Sequence, residues 1–200
     1  MTVLRIRTEP PWSTREAQAG ELVLRGRTRS EVWGFGQHPS TSLCLSILAG
    51  MFGDGGPQPK RVVELACGTG LLCVAAAKLG ARSTRGLEPD AGLRKIAEEN
   101  AHGNDARGLM FAATADELDI QGFDLTLANL TAPELHAQSE LLARLAAGGH
   151  LLISGFVEEE REAIEQRFIG LGFRFLFREL REQVLACVLK SRAAEARGDA

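Results

Sequence analysis

The run Val62-Val63-Glu64-Leu65-Ala66-Cys67-Gly68-Thr69-Gly70, followed by Glu88 about twenty residues on, constrains this chain more than any other stretch. An apolar run that closes on an acidic residue and a Gly-x-Gly turn reads as a buried parallel strand feeding a helix. The glycines let the backbone approach a ligand, and the helix that follows offers unpaired N–H groups to an anion. Glu88 ends a second apolar segment, Ser83 to Glu88, where a carboxylate can accept from ribose hydroxyls. The pattern points to a nucleoside cofactor.

A dinucleotide-binding fingerprint carries a third glycine three positions after its second. Here that position is Cys73, and the helix continues through Leu71-Leu72-Cys73-Val74-Ala75-Ala76-Ala77, which fits a pyrophosphate poorly. S-adenosylmethionine is the other nucleoside cofactor for such a fold. Its carboxylate takes the loop N–H groups, and its ammonium suits a carboxylate such as Glu64. A strand-turn-helix with no ligand is the plainer alternative, but Glu64 before the turn and Glu88 after it favour the cofactor.

Two hundred residues at 44% hydrophobic content suit one domain with a sizeable core. A net charge of −3 leaves no overall basic field to gather nucleic acid. The arginines of the N-terminal segment (Arg5, Arg7, Arg15, Arg25, Arg27 and Arg29) read as a solvated face, with a binding patch as the alternative. Cys44, Cys67, Cys73 and Cys187 form no Cys-x-x-Cys pair and read as small buried hydrophobes in a reducing compartment, without a metal site. No stretch has the apolar length of a membrane span or the core of a signal peptide, so a cytoplasmic location is expected.

From Arg61 onward strands and helices alternate. Strands are expected over 61–66, 83–88, 109–113, 123–129 and 150–154, and helices over 70–79, from the Asp90 cap to about 102, over 133–145 and over 158–171. Two last segments, 173–178 and 183–190, read as an antiparallel hairpin. Such alternation implies an α/β domain with a doubly wound, mostly parallel sheet, the hairpin finishing one edge. Before it, residues 3–6 and 22–24 look strand-like, 38–48 helical, and 53–59 a connection. The expected divisions are an extension over 1–32 packing on the domain, the domain itself over 33–190, and a disordered tail over 191–200.

The carboxyl ends of the parallel strands would gather the Glu64–Gly70 loop, Glu88 with Asp90, and Ala128-Asn129-Leu130. An amide at Asn129 can accept a hydrogen bond from a nucleophilic amine and aim its lone pair at a sulfonium methyl, which is catalysis by orientation. The alternative is a strand-end residue bonding its own turn. The segment Trp33-Gly34-Phe35-Gly36-Gln37-His38-Pro39-Ser40-Thr41 suggests a loop that folds over a ligand. Thr41 offers a hydroxyl to the cofactor carboxylate, and His38 is either a base or a loop-shaping residue, the latter being commoner.

The series Gly34-x-Gly36-x-His38-Pro39-x-Thr41, Glu64-x-x-Cys67-Gly68-Thr69-Gly70, Gly86-Leu87-Glu88-Pro89-Asp90, Glu99-Asn100-Ala101, Ala128-Asn129-Leu130 and Ser154-Gly155 resembles the PrmA family, the lysine methyltransferases of ribosomal protein L11. The resemblance runs from about Glu21 to Arg192. It implies a Rossmann-like methyltransferase fold and S-adenosylmethionine held by Thr41, Glu64, Gly68, Gly70, Glu88 and Asn129, with Ala113 and Thr114 bordering the adenine. Glu88 stands where the family usually has Asp, Phe35 where it has threonine, and Ala66 where it has glycine. Family members also carry a separate N-terminal recognition domain, and about thirty residues before Trp33 are too few for one. The expected activity is therefore methyl transfer to a protein amine, lysine or N-terminal, with the acceptor left open. A small-molecule methyltransferase and a non-catalytic cofactor-binding module are the alternatives. A nucleic-acid acceptor is disfavoured by the acidic charge and by Leu130-Thr131-Ala132, which lacks the Pro-Pro-aromatic continuation that stacks a flipped base. A nicotinamide oxidoreductase is disfavoured by Cys73.

Overall fold

Period-two alternation in the first strand of the domain decides which helices cover which face. In the computed structural model, which describes residues 5–28, 36–118 and 122–193, Val62 packs into one core and Val63 into another on the opposite side of the sheet. Arg29 and the Trp33-Gly34-Phe35 portion of the aromatic loop lie outside the described residues.

The described elements begin with β1 (Arg5–Glu9), β2 (Glu21–Arg25) and α1 (Pro39–Phe52). The alternating part follows as β3 (Arg61–Leu65), α2 (Leu71–Leu79), β4 (Ser83–Leu87), α3 (Ala91–Gly103), β5 (Leu109–Ala112), β6 (Leu125–Asn129), α4 (Ala132–Leu145), β7 (His150–Val157) and α5 (Arg161–Gly170). The hairpin of β8 (Phe173–Arg181) and β9 (Val184–Ser191) closes the chain. The seven-stranded sheet has the order β5-β4-β3-β6-β7-β9-β8, with β3 to β7 parallel and β9 antiparallel to both neighbours. The doubly wound, mostly parallel architecture with its terminal hairpin is as expected.

From β3 the chain steps outward to β4 and β5, then returns to lay β6 against the other side of β3. The two directions diverge between β3 and β6, where open α/β sheets leave a crevice at their carboxyl ends. The helices α1 and α2 bury Leu43, Leu48, Leu72 and Ala75 against Val62, Leu125 and Leu127. On the opposite face α4 and α5 bury Leu135, Leu142, Ile164 and Phe168 against Val63, Ile153 and Cys187. Each full burial of such a side chain stabilises the fold by about 1.5–3 kcal/mol.

Local signals set the helix ends. Asp90 accepts the Leu93 N–H at 2.8 Å, and Thr131 with Glu134 forms a capping box ahead of Pro133. Several strand limits differ from expectation. The β7 strand continues past Ser154 to Val157 because Gly155, at φ +99°, forms a bulge, after which Phe156 and Val157 still pair with β9. A side chain at Gly155 would meet the Leu130 carbonyl oxygen at 2.5 Å. The β8 strand runs on to Arg181. Ser191 and Arg192, expected in a disordered tail, are ordered: Ser191 ends β9 and the Arg192 N–H bonds the Gly172 carbonyl at 2.9 Å. Residues 194–200 lie outside the described residues.

Ahead of α1, β1 and β2 pair in parallel as a small separate sheet. Asn100 of α3 and Asn104, just past its end, tie the exit of that sheet to the domain. Asn104 accepts the Arg25 N–H at 2.8 Å and returns a bond to the Arg25 carbonyl, and Asn100 does the same for Arg27, at 2.8 and 3.0 Å. The Asn100 amide also reaches the Thr69 carbonyl in the glycine loop at 2.9 Å. Two arginines of this segment are engaged within it. Arg7 pairs with Glu9 and Glu21, and Arg25 bonds the Ser13 and Arg15 carbonyls.

Replacing Asn100 by Ala strands buried backbone groups in two segments and should cost about 2–3 kcal/mol of stability in urea denaturation. A loss below about 0.5 kcal/mol would show that the clamp contributes nothing measurable.

Candidate active site

Three backbone groups and one carboxylate organise the carboxyl end of β3. The Cys67 N–H bonds the Leu87 carbonyl at 2.9 Å, and the Gly70 N–H bonds the Cys67 carbonyl at 2.9 Å, which folds the loop into a tight turn. Gly68 and Gly70 both hold positive φ, +55° and +75°. A β-carbon at Gly70 would lie 2.8 Å from that of Ala97, so α2 could not start so close to α3 with any other residue there. Glu88, just past β4, accepts the Gly68 N–H on one oxygen and the Asp90 N–H on the other, each at 3.0 Å. A carboxylate has about four acceptor sites, so these two bonds orient Glu88 and leave it capacity for a ligand's hydroxyls.

Ala66 was expected in the strand; it instead takes φ +53°, in the left-handed region. That conformation costs a non-glycine residue about 1–2 kcal/mol, which gives a physical reason for the glycine the resemblance has there. Its neighbour Glu64 lies on the same face as Val62, beneath α2, and is buried. One Glu64 oxygen accepts both the Cys73 N–H at 3.1 Å and the Cys73 thiol at 3.0 Å, capping the first turn of α2 from inside. Burial pushes its carboxyl up to about 8, the Cys73 bonds pull it down, and the charge of Glu88 raises it further.

The same alternation aims Asn129. Leu125 and Leu127 face α1, so Asn129, two residues on, faces α1 as well. Its side-chain amide donates to the Thr41 hydroxyl at 3.2 Å, while Oδ1 is buried with no protein partner among the described residues. An orphaned buried carbonyl of this kind is rare and marks a place for a donor from outside the chain. His38 caps α1, its Nδ1 accepting the Ser40 N–H at 3.3 Å, and burial lowers its pKa. Of its two expected roles the geometry is that of shaping the loop.

On the α4 side of the same strand ends lies a cleft of about 370 Å³. Leu65, Leu87, Pro89, Ala113, Leu130 and Leu141 are among its mostly apolar walls. Flat apolar walls beside a fixed carboxylate, glycines at positive φ and an unpaired amide oxygen together fit a nucleoside carrying an amino-acid tail.

The structure thus brings Gly68, Gly70 and Glu88 into one loop system, sets Thr41 against Asn129, and lines the cleft with Ala113. It puts Glu64 under the loop, engaged by Cys73. Sequence reasoning assigned Cys73 no partner and gave Asn100 no role toward the loop. For Cys73 a signal existed in its spacing, three residues into the helix after Gly70, where a buried carboxylate can cap. Asn100 stands in the Glu99-Asn100-Ala101 motif of the resemblance, but nothing local ties it to the glycine loop. Among the described residues no group of three His, Cys, Asp or Glu could hold a metal ion.

The family model for ribosomal protein L11 methyltransferase (PrmA) matches residues 5–192. A curated ribosomal protein L11 methyltransferase of Geotalea uraniireducens is 35% identical over 194 residues, covering 92% of this chain and 61% of that protein. One of the same name from Syntrophotalea carbinolica is 35% identical over 173 residues, covering 84% of this chain and 55% of that one. The chain therefore spans a little over half the length of these relatives. Among solved structures, a ribosomal protein L11 methylase from Lactobacillus delbrueckii superposes with a TM-score of 0.79 at 23% identity, over 94% of each chain, a likeness of fold.

A carboxyl raised from the ordinary 4.5 to about 8 keeps its proton in the folded state while the unfolded chain has lost it. Its contribution to stability is therefore full below about pH 4.5 and is lost as pH rises toward about 8. Glu64→Gln should remove that loss, so the variant gains on the wild type between about pH 5 and pH 8 in paired denaturant titrations. A difference that stays constant with pH would show that Glu64 is ionised throughout.

Proposed function

Because the chain belongs to the ribosomal protein L11 methyltransferase (PrmA) family, we propose that it is an S-adenosylmethionine-dependent methyltransferase acting on a protein amine. The observation that carries this reading is Asn129, one of whose amide hydrogens goes to Thr41 and whose Oδ1 is buried and without a partner among the described residues, at the carboxyl end of β6.

The cofactor, when bound, supplies a methyl group on a sulfonium. In this reading Glu88 accepts from the ribose hydroxyls, and Ala113 with the apolar cleft takes the adenine. The N–H groups around Gly68 and Gly70, with the Thr41 hydroxyl, receive the carboxylate of the methionine part, and the Glu64 carboxyl faces its ammonium from beneath. A cationic ligand there favours the ionised form of Glu64 and lowers its pKa from about 8. Asn129 Oδ1 accepts an N–H of the incoming amine and holds its lone pair in line with the methyl carbon. A lysine must reach the site without its proton, since its reference pKa is about 10.4.

The names of the relatives make ribosomal protein L11 the first acceptor to try, and a ribosomal acceptor implies a cytoplasmic location. Among the described residues no helix is long and apolar enough to cross a membrane.

Glu88→Ala should abolish binding of S-adenosylhomocysteine in calorimetry; retained affinity would sink the ribose assignment. Asn129→Ala should slow turnover about 100-fold and leave that affinity within about threefold. Unchanged turnover would reduce Asn129 to a strand-end residue. The deciding experiment is transfer of labelled methyl from S-adenosylmethionine to purified L11 and to a cell lysate, with Glu88→Ala as control. Label in a discrete protein supports the reading, and label confined to RNA or small molecules overturns the choice of acceptor.

A further inference from the structure

A second cleft, of about 390 Å³, opens between β1, the exposed flank of α1 and the end of β8. Its polar lining is Arg5, Thr8, Ser42, Ser46 and Arg181, completed by Ile6, Leu45 and Ala49, with no acidic side chain among the lining residues. We propose that this cleft is a subsite for a carboxylate side chain of the methyl-accepting protein, a proposal that rests on the protein-methylation reading above.

Arg181 is already oriented. Its Nη1 donates to the Ser42 hydroxyl at 2.7 Å, and its Nη2 meets Glu179 at 3.1 Å. Glu179 borders the neighbouring apolar hollow with Leu176 and Phe177, outside this cleft. The remaining guanidinium N–H groups of Arg181 are left for a ligand. Arg5 makes no side-chain hydrogen bond or ion pair among the described residues; Glu21, across the β1–β2 pairing from it, bonds Arg7 instead. Arg181 is partly compensated by Glu179 and Arg5 is not, so two guanidinium groups and three hydroxyls face one acid at the rim and form an anion site, and the planar fork of arginine matches a carboxylate.

The location ties the cleft to the chemistry. Ser42 directly follows Thr41, the partner of Asn129, so consecutive residues of α1, on adjoining sides of the helix, hold Arg181 and the Asn129 amide. Arg181 immediately precedes a two-residue turn in which Glu182 and Gln183 both have positive φ, +48° and +72°. Hairpin turns of that shape favour Asn and Gly; here the chain carries the strain with two long side chains, and strain of this kind persists where the surroundings enforce it. A nucleic-acid backbone would need a row of cations along an open surface. This feature is a bounded, mostly polar cleft with two guanidinium groups, on a chain of net charge −3.

The test uses a blocked tetrapeptide with two central glutamates, its two-glutamine counterpart, and inorganic phosphate, each titrated into the full chain while the arginine side-chain Nε–H resonances are followed by NMR. The glutamate peptide should shift the Arg5 and Arg181 resonances and the glutamine peptide should not. Arg5→Ala and, on a separate element, Arg181→Lys should each weaken the peptide about tenfold while S-adenosylhomocysteine binds as in the wild type. Equal shifts with both peptides, no shift at either arginine, or tighter binding of phosphate than of the acidic peptide would each overturn the proposal, the last in favour of a phosphate-bearing ligand. Because these readouts need no methyl transfer, failure of the subsite is distinguishable from failure of the methyltransferase reading, which would appear as loss of S-adenosylhomocysteine binding.

Discussion

Two backbone N–H groups from different loops converge on the single carboxylate of Glu88, and the geometry of the crevice depends on that convergence. Gly68 belongs to the turn after β3 and Asp90 to the entry of α3. One side chain from the end of β4 therefore sets the separation of two ligand-facing loops. The Arg94 guanidinium bonds the carbonyls of Glu88 and Pro89, which fixes the backbone that carries the carboxylate. The arrangement stabilises a negative charge with neutral donors and keeps acceptor capacity outward.

Glu64 shows the opposite solution a few residues away. It lies deeper, bonds only through Cys73, and is pushed toward its neutral form by burial and by Glu88. Two carboxyls thus have different surroundings, Glu88 accepting backbone N–H groups from two loops and Glu64 lying buried against Cys73.

Much of this was legible in the linear sequence. The Gly68-Thr69-Gly70 turn, the Asp90 cap and the strand-helix alternation are local events, decided by steric freedom, capping and period, so their residues announce themselves. Glu88 and Asn129 could be named because residues at the carboxyl ends of parallel strands meet whatever the connecting helices do. Misjudged boundaries depended on a partner strand or on a loop conformation that the apolar pattern does not show. The β7 strand outran Ser154 because β9 continues to pair beyond the Gly155 bulge, and Ala66 left the strand because the loop required a left-handed turn.

The sequence by itself determined the class of fold and the local units that carry the glycine turn, Glu88 and Asn129 to the carboxyl ends of the parallel strands, because each follows from steric freedom, capping and period within a short stretch. The tertiary structure alone decided that the Asn129 amide is held by Thr41, 88 residues away, that Arg181 lies against Ser42 across 139 residues, and that Asn100 joins the exit of β2 to the glycine loop. Such pairs depend on which face of the sheet each helix covers and on how far the terminal hairpin extends. Those are properties of packing and register, summed over the whole core, and no short stretch of residues encodes them.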